Sequence, residues 1–349
     1  MQQARAQQLL QRLHVLGDGG ARQAELLASL GEAGQFGNAD EGTQEVGGGS
    51  WAGLLFADHC SFMPTSISDY CRFITIQSNN KLSLNPTRQL PQTRSFAMTR
   101  KIALITGASR GLGRNAALHL AAAGVDIIGT YRSQADEAQA VAAEIEQHGG
   151  RAVMLHLDVA ESASFTAFAE QIRATLGEAF GRQNFDFLVN NAGIGLYASF
   201  AETSEEMFDQ LMNIQLKGPF FLTQKLLPLI ADGGRILNVS SGLTRFSLPG
   251  YAAYATMKGA METLTKYQAK ELGARGIAVN ILAPGAIETD FGGGVVRDNA
   301  QLNQQIASNT ALGRVGLPDD IGAVIAALLS DGGRWINGQR VEASGGMFL

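Results

Sequence analysis

From residue 101 onward, short apolar runs alternate with longer stretches in which apolar side chains recur every three or four positions. Residues 102–106 form the first run, too short for a helix and bounded by glycine, so a buried strand is expected. An Ala/Leu-rich helix follows from about 115 to 123. Strand 125–130, helix 137–147 and strand 153–157 come next, then helix 164–176, strand 187–190, one long helix over 205–230 and strand 235–239. A helix at 251–272, a strand at 278–282, a late helix at 319–330 and a strand at 339–343 complete the series. This alternation predicts an α/β domain, a doubly wound parallel sheet with helices on both faces, because parallel strands need crossover connections. Ligands on such sheets bind beyond the carboxyl ends of the strands.

The first 97 residues read differently. A Gln- and Leu-rich stretch at 2–16 reads as a helix, and Gly-rich text follows, ending at Gly47-Gly48-Gly49-Ser50. The remainder holds no sustained period and closes on polar residues with Pro86 and Pro91. The boundary therefore falls at Met98. Residues 1–97 are expected to be a poorly ordered extension rather than a targeting or regulatory module, and 98–349 a ligand-binding domain. Composition narrows the class further. At 45% apolar and 17% charged the chain is globular, and a net charge of -5 without a basic stripe excludes a nucleic-acid footprint. No apolar run reaches the roughly 18 residues of a membrane span, and no secretory leader is read at the N-terminus. Cys60 and Cys71 both precede the boundary, so the main domain has no disulfide framework and suits a reducing cytoplasm. The five histidines and two cysteines have no metal-ligand spacing.

Directly after the first expected strand stands Thr106-Gly107-Ala108-Ser109-Arg110-Gly111-Leu112-Gly113, and then a helix. Glycine lets backbone approach a pyrophosphate, and a helix N-terminus offers free N–H groups. The alternative is an ordinary tight turn, which the position between a strand and a helix disfavours. The second strand ends Gly129-Thr130-Tyr131-Arg132-Ser133, with no acid before Asp136 to hold a ribose 2′-hydroxyl. Arg110 and Arg132 could instead clamp a 2′-phosphate, so NADP is expected in preference to NAD.

Of the six tyrosines only Tyr254 has a lysine four residues on, Lys258. Residues at i and i+4 share a helix face, so phenol and ammonium are expected to enter one cleft. A nearby ammonium should lower the phenol pKa towards working pH and make Tyr254 a general acid/base. Tyr251 lies seven residues before Lys258 and is less well placed. Upstream, Asn238-Val239-Ser240-Ser241 ends a strand, and a hydroxyl of either serine could stabilise charge on a carbonyl oxygen or could simply shape a turn.

Taken together, residues from about 100 to 349 resemble the short-chain dehydrogenase/reductase family, of the 3-oxoacyl-(acyl-carrier-protein) reductase type, a Rossmann-type fold. The motifs fall in family order: Thr106 to Gly113, Asp158-Val159, Asn190-Asn191-Ala192-Gly193, the serine pair, Tyr254 with Lys258, and Pro284-Gly285. The family spacing of thirteen residues between serine and tyrosine singles out Ser241. The resemblance implies that Asp158 and Val159 lie against the adenine and that Asn191, Ala192 and Gly193 line the cofactor groove. It further implies that Lys258 bonds the nicotinamide ribose, and that Pro284, Gly285, Ile287 and Thr289 cover the nicotinamide. One departure stands out: where the family has Asn-Leu-Lys-Gly, this chain has Gln215-Leu216-Lys217-Gly218. In the family that asparagine's main-chain carbonyl holds a water of the proton relay, a role that glutamine could keep.

Ile194, Leu196, Tyr197, Leu243, Phe246, Leu248 and Phe291 should flank the reacting carbon, either as a hydrophobic substrate wall or as plain core. Gly292-Gly293-Gly294 could hinge residues 291–309 as a lid. The apolar C-terminal end is expected to bury against a neighbouring subunit, in a homotetramer or dimer. The function expected is reduction of a ketone, aldehyde or 3-oxoacyl thioester, or its reverse. A non-catalytic NADP-binding sensor of the same fold is the alternative, which the retained Ser241, Tyr254 and Lys258 disfavour.

Overall fold

The computed structural model describes residues 100–349. The expected N-terminal helix at 2–16, and the extension 1–97 as a whole, lie outside the described residues. Seven strands form one all-parallel sheet: β1 (Ile102–Ile105), β2 (Asp126–Tyr131), β3 (Ala152–His156), β4 (Phe185–Asn190), β5 (Ile230–Val239), β6 (Ala278–Pro284) and β7 (Arg340–Ala343). Their order is β3-β2-β1-β4-β5-β6-β7, the doubly wound arrangement that strand–helix alternation requires. The winding reverses between β1 and β4, which opens a crevice at their carboxyl ends.

Sheet burial explains the uninterrupted apolar runs. Every residue of β1 is fully buried, yet Ile102 and Leu104 join one core layer while Ala103 and Ile105 join the other. The period of two survives inside a run that reads as solid hydrophobe. The second layer is covered by α1 (Gly111–Ala122) and α2 (Ala135–Gln147), the first by α3 (Phe165–Phe180).

The long helix expected over 205–230 is broken. It divides into α4 (Glu205–Met212), a π turn at Asn213–Lys217 and α5 (Gly218–Leu226), and Ile230 already belongs to β5. Two residues force the break. Pro219 has no N–H to offer the carbonyl of Gln215, so the regular ladder cannot continue. Gly218 packs its Cα on α3's approach, where an added Cβ would lie 2.3 Å from the Val159 carbonyl oxygen. The Gly218 N–H bonds five residues back, to Asn213.

Next comes α6 (Ala252–Leu272), the helix expected at 251–272. Residues 291–308, expected only as a lid, hold helical structure: a single turn at Val295–Asp298 and then α7 (Ala300–Ser308). Asn299 caps α7, its side-chain oxygen accepting from the Leu302 N–H at 3.0 Å. The last helix, α8 (Pro318–Leu329), packs beside α1. A buried polar chain locks the sheet's carboxyl end: Asn190 Nδ2 donates to Asn238 Oδ1 at 2.8 Å, and Asn238 Nδ2 to Thr265 Oγ1 at 2.8 Å. That chain ties β4 to β5 and β5 to α6, the three elements whose ends carry the functional side chains.

Candidate active site

The turn after β1 is built around glycine. Gly107 and Gly111 hold φ of +69° and +55°. Gly113 has no room for a side chain, since a Cβ would sit 2.0 Å from the Gly107 carbonyl oxygen. Asn191 clamps the same turn from β4, its Nδ2 donating to the carbonyls of Thr106 (2.9 Å) and Gly107 (3.2 Å). No side chain caps α1, so its first N–H groups face the crevice unclaimed by the protein.

These residues line a chamber of about 1030 Å³ along the carboxyl edge of the sheet. Gly107, Ser109, Arg110, Gly111 and Leu112 form one end, with Arg132 and Ser133 after β2 and Asp158 and Val159 after β3. Asn191, Ala192, Gly193, Pro284, Gly285, Ile287 and Thr289 continue it. Of the cofactor residues read from the sequence only Gly113 lies off the wall, acting behind it. Among the described residues Arg110 and Arg132 form no ion pair, so both guanidinium groups are free to meet an anion. The glycine cradle, the uncapped helix and the two free arginines together fit a dinucleotide carrying an extra phosphate.

Tyr254 and Lys258 reach the chamber from α6 and are 7% and 5% exposed. The Lys258 ammonium donates to the Val239 carbonyl at 2.8 Å and lies 5.6 Å from the Tyr254 ring centre. Burial pulls the Lys258 pKa down to about 7. It pushes the Tyr254 phenol above its ordinary value, with the neighbouring Ser241 hydroxyl acting the other way. This reverses the expectation that the ammonium lowers the phenol. Desolvation of the buried ring dominates, while Lys258 turns its ammonium to a main-chain carbonyl.

The adjacent serines separate cleanly. Ser240 donates to Glu262 Oε1 at 2.8 Å, within a cluster that also holds Thr244 (2.6 Å) and Arg340 (2.8 Å). Ser241 Oγ accepts from the Leu243 N–H at 3.2 Å, which leaves its own O–H free to donate into the chamber. Gln215 sits on the π turn, 2% exposed and behind the wall. Its Nε2 donates to the Ile194 carbonyl at 2.6 Å, fixing the loop that flanks Tyr254. Its side-chain oxygen has no partner.

All seven residues read as substrate wall or core line the chamber. Tyr251, set aside in the sequence as poorly placed for catalysis, pairs edge-on with Tyr197 at 5.5 Å. Phe291 pairs with Tyr254 at 5.9 Å, ahead of Gly292, Gly293 and Gly294, which all hold positive φ. Phe246 pairs with Phe348 at 4.8 Å. The C-terminal end also folds back on its own chain, with Met347 4% exposed and both Met347 and Phe348 on the chamber wall, while Leu349 is left exposed. The reason is local, because Met347 bridges Thr310 and Phe348 donates its N–H to Asn309 at 2.9 Å. Its apolar character shows in the sequence; which surface it covers does not.

Residues 107–348 match the family model described as enoyl-(acyl carrier protein) reductase. A tetrahydroxynaphthalene reductase of Pestalotiopsis fici is 36% identical over 276 residues, 75% of this chain and 97% of the relative. An NADPH-dependent aldehyde reductase-like chloroplastic protein of Arabidopsis thaliana is 36% identical over 261 residues, 70% of this chain and 93% of that one. Among solved structures, an angucycline C-6 ketoreductase with bound NADP is 38% identical at a TM-score of 0.68, covering 71% of this chain and 95% of its own.

Proposed function

The chain belongs to the short-chain dehydrogenase/reductase family, and we propose that it reduces a flat aromatic ketone to the secondary alcohol with NADPH. The cofactor is NADP, as the two free arginines at the adenosine end favour and as relatives that carry it agree. Gly107, Ser109 to Leu112, Arg132 and Ser133 would hold its phosphates, and Asn191 to Gly193 with Pro284 to Thr289 its nicotinamide half. When bound, it supplies the hydride that arrives at the carbonyl carbon.

The chain's own residues handle the proton. Ser241 donates its free O–H to the substrate oxygen and steadies the charge that develops there. Tyr254, kept protonated by burial, then gives its proton to that oxygen. Lys258 has one N–H on Val239 and two to spare for the ribose and the relay. With a pKa brought to about 7, it exchanges protons near neutrality and can reload Tyr254. Gln215 serves through its main-chain carbonyl, which Pro219 deprives of an α-helical partner and leaves for a relay water.

The single observation that carries the substrate class is the set of three edge-to-face aromatic pairs around one chamber, Tyr197–Tyr251, Phe246–Phe348 and Tyr254–Phe291. Rings of that kind favour a flat aromatic guest, and the word naphthalene in one relative's name agrees. A cytoplasmic homo-oligomer completes the reading. Phe208, Phe220 and Phe221 leave ring surface exposed on α4 and α5, a face suited to a second copy. The test is NADPH oxidation with a panel of aryl ketones, aldehydes and acyl-carrier thioesters. Turnover should be highest on aryl ketones and lost in Tyr254→Phe; equal rates in that variant would refute the mechanism.

A further inference from the structure

The C-terminal end of the chain is fastened far more firmly than a chain end needs. Arg245, on the loop after the catalytic serine, grips Glu342 with two bonds at 2.8 and 2.6 Å. The same guanidinium donates to the Met347 carbonyl at 2.6 Å and to the Phe348 carbonyl at 3.1 Å. It also lies 5.3 Å from the centre of the Phe246 ring, which in turn meets Phe348 edge-on. One side chain thus joins β7, the last residues of the chain and the aromatic wall.

Phe348 is held in a strained conformation by these bonds. Its φ of +53° makes it the one non-glycine in the left-handed region among the described residues. An aromatic residue stays there only where its surroundings impose it. Here they are the Asn309 carbonyl on its N–H, Arg245 on its carbonyl and Phe246 on its ring. Gly345 and Gly346, at φ of +62° and +77°, turn the chain back to make this possible. The product of that turn is a ring on the chamber wall.

Resting on the reading of the site as a ketone reductase, we infer that Phe348 is a specificity-determining residue that selects flat fused-ring substrates, and that Arg245 is the positioning residue that holds it. The ring offers a stacking face to a wide planar guest and nothing to a small one. Arg245 touches no reacting atom; it holds Phe348 by the Phe348 carbonyl and by the Met347, Glu342 and Phe246 contacts around it. Selection would therefore fall on KM and not on the chemical step.

The experiment compares the parent with Phe348→Ala, Arg245→Ala, the double variant and Leu349→Ala, with NADPH and either 1-tetralone or cyclohexanone. Binding of 1-tetralone to the NADP⁺-saturated enzymes is measured by calorimetry alongside. In Phe348→Ala the ratio of kcat/KM for 1-tetralone over cyclohexanone should fall about five- to tenfold, through KM, with a matching loss of 1-tetralone binding. Arg245→Ala should lower the ratio in the same direction, and the double variant should lower it by less than the product of the two single effects, because Arg245 positions the ring that Phe348→Ala removes. Leu349→Ala, whose side chain is exposed and off the wall, should leave the ratio alone. A ratio within twofold of the parent in Phe348→Ala, or an equal kcat loss on both ketones, overturns the inference. Absence of turnover in the parent would defeat the proposed activity alone, since the binding comparison still decides the role of Phe348.

Discussion

Ser240 and Glu262 are joined by a hydrogen bond of 2.8 Å, and that bond engages one of two neighbouring serines while the other faces the chamber. The Glu262 carboxylate also receives Thr244 and Arg340, so it is a hub under the loop that carries Ser241. Ser240→Ala should cost about 1–3 kcal/mol of stability by leaving that hub short of a donor, while turnover stays within about tenfold of the parent. Ser241→Ala should do the opposite, with a near-parental melting temperature and a kcat loss of about 100-fold or more. Thermal melts and steady-state rates on the two variants check the division; similar profiles would erase it.

Lys258 holds its place at a cost to stability. Its pKa is about 7 in the folded chain against 10.5 for the free side chain. Between those values the unfolded chain binds the extra proton, so the burial penalty is full below pH 7 and is relieved as pH rises towards 10.5. Lys258→Met should therefore melt higher at neutral pH, by about 2–4 °C for each kcal/mol regained, while activity collapses. A variant that melts lower than the parent at pH 7 would contradict this.

The same value sets a pH profile for reduction. The proton that reloads Tyr254 is present on Lys258 below about pH 7 and absent above it. kcat for ketone reduction should decline above an apparent pKa near 7, whereas Tyr254 itself, pushed upward by burial, adds no limb in that range. A flat profile from pH 6 to 9 would remove Lys258 from the relay.

Gly113 gives a sharp test of the cofactor turn. A methyl group there would meet the Gly107 carbonyl oxygen at 2.0 Å and Asn191 Nδ2 at 2.5 Å. Gly113→Ala should weaken NADPH binding by about 100-fold or more, because neither neighbour is the free end of a flexible side chain. The arginines act on selectivity instead: Arg110→Ala with Arg132→Ala should lower the NADPH-over-NADH preference by about tenfold or more. Fluorescence titration with each nucleotide measures both effects.

Gln215 is tested by shape and by function together. Gln215→Leu keeps the volume but leaves the Ile194 carbonyl without its 2.6 Å donor, and should cost about 1–3 kcal/mol with slower turnover. Gln215→Asn restores the amide usual at this position and should be at least as active as the parent. Complete loss in Gln215→Asn would show that the π turn has another role.

The sheet was legible because it is regular: seven short runs separated by amphipathic stretches admit few other folds, and each run overlaps one of the seven strands to within a residue or two at its ends. The residues of the turn, the serine, the tyrosine and the lysine were legible because each must stand at the end of a strand or at i, i+4 on a helix. The broken helix at Asn213–Lys217 was not, although Pro219 marked it, since its apolar period runs on through the break. The helix α7 was missed for the converse reason, a glycine run that reads as hinge masking the Asn299 cap behind it.

By itself, then, the sequence determined the parallel α/β winding, the glycine turn and the Tyr254–Lys258 pair through local periodicity and spacing, and the rest of the carboxyl edge through its family resemblance. Only the tertiary structure decided that Ser240 is tied to Glu262, that burial pushes the Tyr254 phenol up, and that Phe348 packs on Phe246 at the chamber wall. Each of these depends on what lies within a few ångströms across the fold, and burial and hydrogen-bond partners are set by groups remote in sequence. Phe348 and Phe246 are 102 positions apart, yet Arg245 brings their rings to 4.8 Å.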